Sequence, residues 1–436
     1  MQKDYVILGS GMAGLGAAAR LRAEGRPAMV FDKKAYAGGH TATHTRDGFV
    51  FDEGPHVSFT KQEKIKKLFA EAVNNDYLSI DAYIDNYWQG HSIRHPVVTN
   101  MHGMPHEMVV KCISDFVKVQ NTPNPKIANY EDWLVASYGR TYAETFPMQY
   151  AWKYHTTRAS NMTTDWVGPR LYQAKLDEVL QGALSPESPN IHYVQDYRYP
   201  RVGGFAAFLG GLKKATDIRL NHEVVSIDPV QRKLGLSNGT SSDYQGLISS
   251  IPLPELLPMI KGAPRDVLEA AKLLACTSVV LVNLGVARED LSKASWTYYY
   301  DDEFPFSRVS FPRTFSPHVV PKGCGSIQAE VYFSSKYRPL TGSPDACIAP
   351  TIAGLRKCGV LREDDKIVFK EAMLIPYANI IFDLDRAAAV AKVHAYLDDI
   401  GIAYCGRYGD WGYQWSDEAF VSGENAAQKT LEKVGR

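Results

Sequence analysis

The 436-residue chain has no net charge, because its 48 lysines and arginines balance 48 aspartates and glutamates. Without an excess of one sign there is no overall field to attract nucleic acid or an anionic membrane. Any anion recognition must then come from a few positioned arginines. No apolar run reaches the roughly 18 residues of a membrane span, and the N-terminus lacks a secretory signal pattern. We therefore expect a soluble, cytoplasmic protein that binds no nucleic acid and has no membrane span.

Cysteine is also scarce. The six cysteines are scattered along the chain, with no CxxC pair and no spacing typical of metal ligands. His40 and His44 have no nearby partners with which to form a metal site. We interpret the cysteines as reduced thiols and predict no metal.

A glycine-rich turn, GSGMAG, joins the first predicted strand (Tyr5–Leu8) to a predicted alanine-rich helix over 14–24. Its spacing is that of a dinucleotide-binding turn. Gly9 makes the tight turn, Gly11 lets the backbone approach a pyrophosphate, and Gly14 allows the helix to pack closely on the strand.

The start of this helix and the end of the second predicted strand, 28–31, complete the pattern. Met12 and Ala13 lead into the helix, whose N-terminal N–H groups and dipole favour phosphate. Asp32 follows the second strand about 20 residues further on, where a carboxylate accepts hydrogen bonds from ribose. Lys33 stands beside it. Strand, turn, helix, strand and acid in register predict a dinucleotide site in a Rossmann-type α/β unit.

A second glycine doublet indicates which dinucleotide is bound. Gly39 and His40 follow Gly38 just after the second strand, and a further turn, FDEGPH, occupies 51–56. A free NAD site needs no second close approach of the backbone, whereas a buried flavin with its ribityl chain does. These segments resemble the glutathione-reductase-type FAD family that contains amine oxidases, protoporphyrinogen oxidases and UDP-galactopyranose mutases. We therefore predict FAD as the cofactor.

The resemblance continues near the other end of the chain, in GRYGDW (406–411) and SGENAA (422–427). It implies that Gly406 and Ser422 contact the flavin, together with Asp417, which stands where the family has an asparagine. It also implies that a last helix, near Gly423, points its N-terminus at the flavin. Val224 matches a position that contacts adenine.

The middle of the chain resembles one branch of that family, the UDP-galactopyranose mutases. The stretch 146–153, followed by Arg170, is similar to the part that carries a substrate arginine, and Arg308 matches a second one. The resemblance implies a flavoenzyme that acts on a nucleotide-linked sugar through N5 of reduced flavin, with arginine forks holding the diphosphate. The implied catalytic set is His56, Arg170, Arg308, Tyr377, Arg407 and Tyr413.

Some residues depart from the mutase pattern. The segment 95–100, HPVVTN, is smaller and more apolar than the aromatic and amide residues that surround uracil in those enzymes. Arg170 also reads as a helix-surface arginine, and Arg308 as a partner of neighbouring aromatic rings. An FAD-dependent oxidoreductase on a small organic substrate (an amine-oxidase-like oxidase, a dehydrogenase or a desaturase) stays open, as does a non-enzymatic flavin-binding protein. NAD(P)H is a candidate reductant.

Length and patterning predict the domains. We expect an α/β protein in which a Rossmann-type FAD-binding domain, built from 1–60, 191–275 and 366–436, receives two insertions. The first, 61–190, reads as a helical domain. The second, 276–365, reads as an antiparallel-sheet substrate domain.

Overall fold

A computed structural model describes residues 5–168, 171–187, 191 and 194–434. Its helices are α1 (Met12–Ala23), α2 (Glu63–Ala72), α3 (His106–Gln120), α4 (Tyr130–Tyr138), α5 (Arg140–Thr145), α6 (Pro147–His155), α7 (Leu176–Leu184), α8 (Gly210–Lys214), α9 (Leu253–Met259), α10 (Arg265–Leu273), α11 (Ile348–Lys357), α12 (Arg386–Asp399) and α13 (Ser416–Val434). Its strands are β1 (Tyr5–Leu8), β2 (Met29–Phe31), β3 (Thr43–Arg46), β4 (Phe49–Asp52), β5 (Tyr77–Asp81), β6 (Ile84–Trp88), β7 (His91–Arg94), β8 (Asp196–Pro200), β9 (Asp217–Arg219), β10 (Val224–Asp228), β11 (Lys233–Leu236), β12 (Ser241–Asp243), β13 (Gly246–Ser249), β14 (Thr277–Val286), β15 (Trp296–Tyr299), β16 (Arg308–Ser310), β17 (Gly325–Ser334), β18 (Ile367–Ile375) and β19 (Ile402–Tyr404).

The nucleotide-binding sheet is parallel and has the order β19-β13-β1-β2-β9. All four residues of β1 are apolar and buried, as expected for a strand covered on both faces. Helix α1 follows β1 directly and packs against α13. Glycines make this contact close: a Cβ at Gly16 would overlap the Phe420 carbonyl, and one at Gly423 would overlap the Ala13 carbonyl. The predicted α/β class with a Rossmann-type unit is confirmed.

A seven-stranded sheet with the order β18-β14-β17-β16-β15-β6-β7 forms the second layer. The long strands β14 and β17 pair antiparallel over their whole length, from Thr277 opposite Ser334 to Val286 opposite Gly325. The segment expected to be helical, 61–190, contributes α2–α7. It also contains β5, β6 and β7. Of these, β6 and β7 belong to the seven-stranded sheet, where β6 pairs with β15 in parallel.

The last helix begins at Ser416, seven residues before the glycine near which it was expected. The N–H of Trp415 donates to the Glu418 carboxylate at 2.8 Å, which is half of a capping box and starts the helix here. Gly423 instead lies inside the helix, where it permits the contact with α1. In the described part of the chain, no helix combines the length and apolar character of a membrane span.

Candidate functional site: a cofactor cavity between the two sheets

A cavity of about 410 Å³ runs from the GSGMAG turn to the face of the seven-stranded sheet. It brings together residues that are far apart in sequence. The predicted site residues that line it are Gly9, Gly11, Met12, Ala13, Asp32, Lys33, Gly39, His40, His56, Val224, Arg308, Tyr377, Gly406, Arg407 and Tyr413. Arg170 lies outside the described residues.

The glycine turn has the geometry that its sequence predicts. Gly9 has φ +90°, and its N–H donates to the Phe31 carbonyl at 2.8 Å, which ties the turn to β2. A Cβ at Gly14 would overlap the Gly9 carbonyl, so this position requires glycine for the helix to approach the strand. Helix α1 begins directly after Gly11, which has no side chain to cap it. The first-turn N–H groups are therefore well placed for an anion in the cavity.

Two further glycines shape the floor of the cavity. Gly38 and Gly39 both have positive φ, and the Gly38 N–H donates to the Ser10 carbonyl at 3.0 Å. A Cβ at Gly39 would lie 2.9 Å from the Gly11 Cα. The two glycine turns thus meet with no room for side chains, which leaves the narrow, backbone-lined channel that a pyrophosphate and ribityl chain need.

Asp32 is held at the end of β2 by the turn itself. Its Oδ2 accepts hydrogen bonds from the N–H of Ser10 at 2.8 Å and from its hydroxyl, and its Oδ1 accepts from the Lys34 N–H at 2.9 Å. A carboxylate has about four acceptor positions, so one stays available for a ribose hydroxyl. Lys33 pairs with Glu255 at 2.7 Å on the rim of the cavity.

Glu53, a residue that the sequence interpretation passed over, is buried beside His40. Its carboxylate accepts from Tyr36, from His44 at 3.1 Å and from Lys34 at 3.1 Å, and His40 lies 3.5 Å away. Burial raises the pKa of Glu53, but hydrogen bonds from the two histidines and the charge of Lys34 outweigh it and hold this pKa well below its usual value. The carboxylate therefore stays ionised and fixes these side chains.

His56 lies at the cavity wall, with its Nδ1 2.9 Å from the Gly54 carbonyl. Burial lowers the pKa of His56 to about 4, so the imidazole is neutral near pH 7. A neutral ring whose Nδ1 proton is donated to a carbonyl presents Nε2 as an acceptor. His56 is therefore suited to accept a proton or a hydrogen bond next to a bound cofactor.

The C-terminal flavin segment approaches the cavity from the side of α13. Gly406 and Arg407 line the cavity, whereas Ser422 and Asp417 do not. The Ser422 hydroxyl oxygen accepts the Gly406 N–H at 2.9 Å from behind. Asp417 accepts a hydrogen bond from Thr60. Ser422 thereby contacts the cavity wall through Gly406.

Arg308 is held by Glu330. The Nε and Nη2 atoms of Arg308 donate to the two carboxylate oxygens at 2.7 and 3.0 Å, and Tyr332 adds a hydrogen bond of 2.6 Å to the same carboxylate. The Glu330 side chain is 1% exposed and that of Arg308 is 20% exposed. Both residues line the cavity, so the pair presents one oriented guanidinium to it.

Arg407 also lines the cavity and is held by two backbone carbonyls and one side-chain oxygen. It donates to the Gln414 carbonyl at 3.0 Å, to the Ala378 carbonyl at 3.0 Å and to Asn379 Oδ1 at 3.1 Å. Its guanidinium lies 5.2 Å from the centre of the Tyr413 ring. Arg407 therefore carries positive charge near the cavity while bracing its wall.

Tyrosines surround the cavity between the two arginines. The Tyr413 hydroxyl lies 3.4 Å from that of Tyr154. Burial raises the pKa of Tyr377 above its usual value, so this phenol remains a hydrogen-bond donor. Sequence reasoning missed Tyr154, Glu330 and Tyr332. The alternation of polar residues in β17, at 328, 330 and 332 among buried apolar neighbours, could have indicated the last two.

The comparisons with known proteins agree with this geometry. A family model described as "NAD(P)-binding Rossmann-like domain" matches residues 7–72. The chain is 31% identical over 132 residues to a 1-hydroxycarotenoid 3,4-desaturase of Flavobacterium sp. (strain P99-3), which is 29% of this chain and 26% of the desaturase. The match thus spans about a quarter of that relative's length.

Solved structures are similar over almost the whole chain. A crystal structure of reduced UDP-galactopyranose mutase superposes with a TM-score of 0.93 at 24% identity, covering 99% of this chain and 96% of that one. A putrescine oxidase with putrescine bound gives a TM-score of 0.68 at 15% identity, covering 99% of each chain. The superpositions confirm the predicted fold, and the comparisons taken together bear out FAD as the cofactor.

Proposed function

We propose that this chain, which has the fold of the FAD-dependent amine-oxidase-like superfamily, rearranges a nucleotide-linked sugar as a UDP-galactopyranose-mutase-like enzyme. The observation that carries the proposal is the Arg308–Glu330 pair in the cavity wall. Among the described residues, Arg308 donates its hydrogen bonds to Glu330 from Nε and Nη2, which leaves Nη1 for a ligand. The similarity in fold to a reduced mutase supports the same proposal.

The residues suit a diphosphate that gains charge as its bond to a sugar breaks. The Arg308 Nη1 donates charge-assisted hydrogen bonds to the phosphate oxygens, and the hydroxyls of Tyr154 and Tyr413 supply further donors. Because Glu330 fixes the guanidinium in advance, little reorganisation is needed when the charge develops. Reduced FAD, when bound, supplies a nucleophilic nitrogen at N5.

The test is binding of nucleoside diphosphates by the reduced, FAD-loaded protein. Calorimetry with UDP should show binding by the wild-type protein. Arg308→Lys keeps a positive charge beside Glu330 but loses the two-pronged geometry, so it should bind UDP roughly tenfold more weakly. Arg356→Ala on the surface helix α11 is the matched control and should bind like the wild type.

The catalytic part of the proposal needs a second measurement. Reduced protein is mixed with UDP-galactopyranose or UDP-galactofuranose without oxygen, and the products are separated by chromatography. Interconversion by wild-type but not by heat-inactivated protein is expected. Failure of the wild-type protein to bind UDP, or equal binding by Arg308→Lys, would count against the mutase.

An FAD-dependent oxidoreductase is the second candidate. Aliphatic side chains from β14 and β18, namely Val279, Leu281 and Ile375, line the same cavity, and such a wall suits an apolar substrate. The partial match to a carotenoid desaturase points the same way. Oxidised protein mixed anaerobically with amines or polyenes should then lose its oxidised-flavin absorbance, which a mutase would not do.

A further inference from the structure

A second cavity, of about 650 Å³, lies along α13 on the other side of the segment 406–414. Asp410 and Ser422 line it, and Gln414 lines both cavities. The segment is therefore a thin wall with the cofactor cavity in front and a solvent-reachable space behind. Gly406 has φ +76°, and a Cβ there would lie 2.5 Å from the Ala13 Cβ, so the wall presses on the first turn of α1.

A chain of hydrogen bonds holds this wall from behind. The Gly406 N–H donates to the Ser422 Oγ at 2.9 Å, and the Ser422 hydroxyl donates to Asp410 Oδ2 at 2.5 Å. The Gln414 side-chain amide donates to the same Oδ2 at 2.6 Å. A hydroxyl has a single proton. Because Asp410 takes that proton, a lone pair of Ser422 is always turned towards Gly406.

We infer that Asp410 is a positioning residue for FAD, acting through Ser422 on the backbone of Gly406. Asp410 is not among the residues that the sequence resemblance assigns to the flavin. Ser422 is, but the structure places it behind the wall, as the second link of the chain. The inference rests on the FAD site of the proposed function and holds for either the mutase or the oxidoreductase.

The geometry also predicts which substitutions matter. Ser422 and Gln414 both donate to one oxygen of Asp410, and an amide oxygen can accept the same two hydrogen bonds. Asp410→Asn should therefore keep the chain intact, whereas Asp410→Ala and Ser422→Ala should break it. Asp410→Asn removes the charge but keeps the acceptor oxygen, whereas Asp410→Ala removes both. Comparing the two variants therefore separates the effect of hydrogen bonding from that of charge.

The experiment reconstitutes each full-length variant with FAD and measures the dissociation constant and the flavin absorbance spectrum. Asp410→Ala and Ser422→Ala should each weaken FAD binding by about tenfold, the cost of one buried hydrogen bond left unmade, and shift the flavin spectrum. Asp410→Asn should restore both readouts. Asn425 also lines the second cavity but takes no part in this chain of hydrogen bonds, so Asn425→Ala should match the wild type.

Two results would overturn the inference, and a third would also overturn the proposed function. Wild-type affinity and spectrum in Ser422→Ala would overturn the inference even if Asp410→Ala does not fold. A defect in Asp410→Asn as large as that of Asp410→Ala would also overturn it, because charge would then matter rather than hydrogen bonding. Failure of the wild-type protein itself to bind FAD would remove the proposed function together with the inference.

Discussion

Removal of the Arg308 side chain should destabilise the protein because it leaves a buried carboxylate behind. Glu330 accepts two hydrogen bonds from Arg308 and one from Tyr332, and its side chain is 1% exposed. Breaking a buried ion pair by deleting one partner costs about 3–5 kcal/mol. Since Arg308 is itself 20% exposed and water can enter its place, we expect the low end for Arg308→Ala, about 3 kcal/mol.

The double variant tests where that loss comes from. Glu330→Gln removes the charge but keeps an acceptor for Tyr332, so Arg308→Ala combined with Glu330→Gln should be more stable than Arg308→Ala alone. Residues in direct contact give interaction energies of roughly 0.5–3 kcal/mol in such a cycle, and we expect about 2 kcal/mol. Urea unfolding of the FAD-loaded wild type, the two single variants and the double variant, followed by tryptophan fluorescence and flavin release, measures the stability of each protein.

An exposed ion pair is the matched control. Arg140 and Glu144 pair on the surface of α5, with side chains 61% and 55% exposed, so Arg140→Ala should change stability by only a few tenths of a kcal/mol. A loss below about 1 kcal/mol in Arg308→Ala, or a double variant no more stable than that single one, would refute the reasoning. The same argument makes Arg308→Lys the better variant for ligand binding.

Other substitutions distinguish residues needed for cofactor binding from residues needed for stability. Gly11→Val should purify folded but without FAD, because its Cβ would lie 3.7 Å from the Gly39 Cα, in the channel for the pyrophosphate; a full flavin complement would show the cofactor to be misplaced. Gly423→Ala should instead lower the thermal midpoint, since its Cβ would overlap the Ala13 carbonyl; an unchanged midpoint would contradict this packing. Burial lowers the pKa of His155 to about 3, so its contribution to stability is lost as pH falls from about 6.5 to about 3. His155→Phe should flatten the unfolding free energy over that range, and a slope equal to wild type would be inconsistent with the assignment.

The nucleotide-binding end of the fold was readable from the sequence because its signals are local. The turn from Gly9 to Gly14 sits between a strand and a helix within a few residues, and Asp32 closes the next strand. Each of those features depends on neighbours in the chain, so one sequence suffices to place them. The predicted strand over 5–8 matches the structure, and the predicted helix starts two residues late.

The substrate end was less readable because its partners are distant. The parallel pairing of β6 with β15 joins residues 84–87 to 296–299, and no local pattern announces it. The polar alternation of β17 could mark Glu330, but its partner Arg308 lies opposite it on the neighbouring strand, 22 residues away in sequence. Gly423 was read as lying near a helix start, whereas the close approach of α1 explains it.

The nucleotide-binding sheet combines elements from distant parts of the chain, which constrains when it can assemble during translation. Among the described elements, a ribosome delivers β1 and the glycine turn long before β19 and α13. Until α13 docks, the side of α1 that contains Gly16 remains exposed to solvent, and the part of the cofactor cavity formed by Gly406 is missing. FAD can therefore be enclosed only after translation has passed that wall. A cell short of riboflavin should accumulate fully synthesised apoprotein rather than arrested nascent chains.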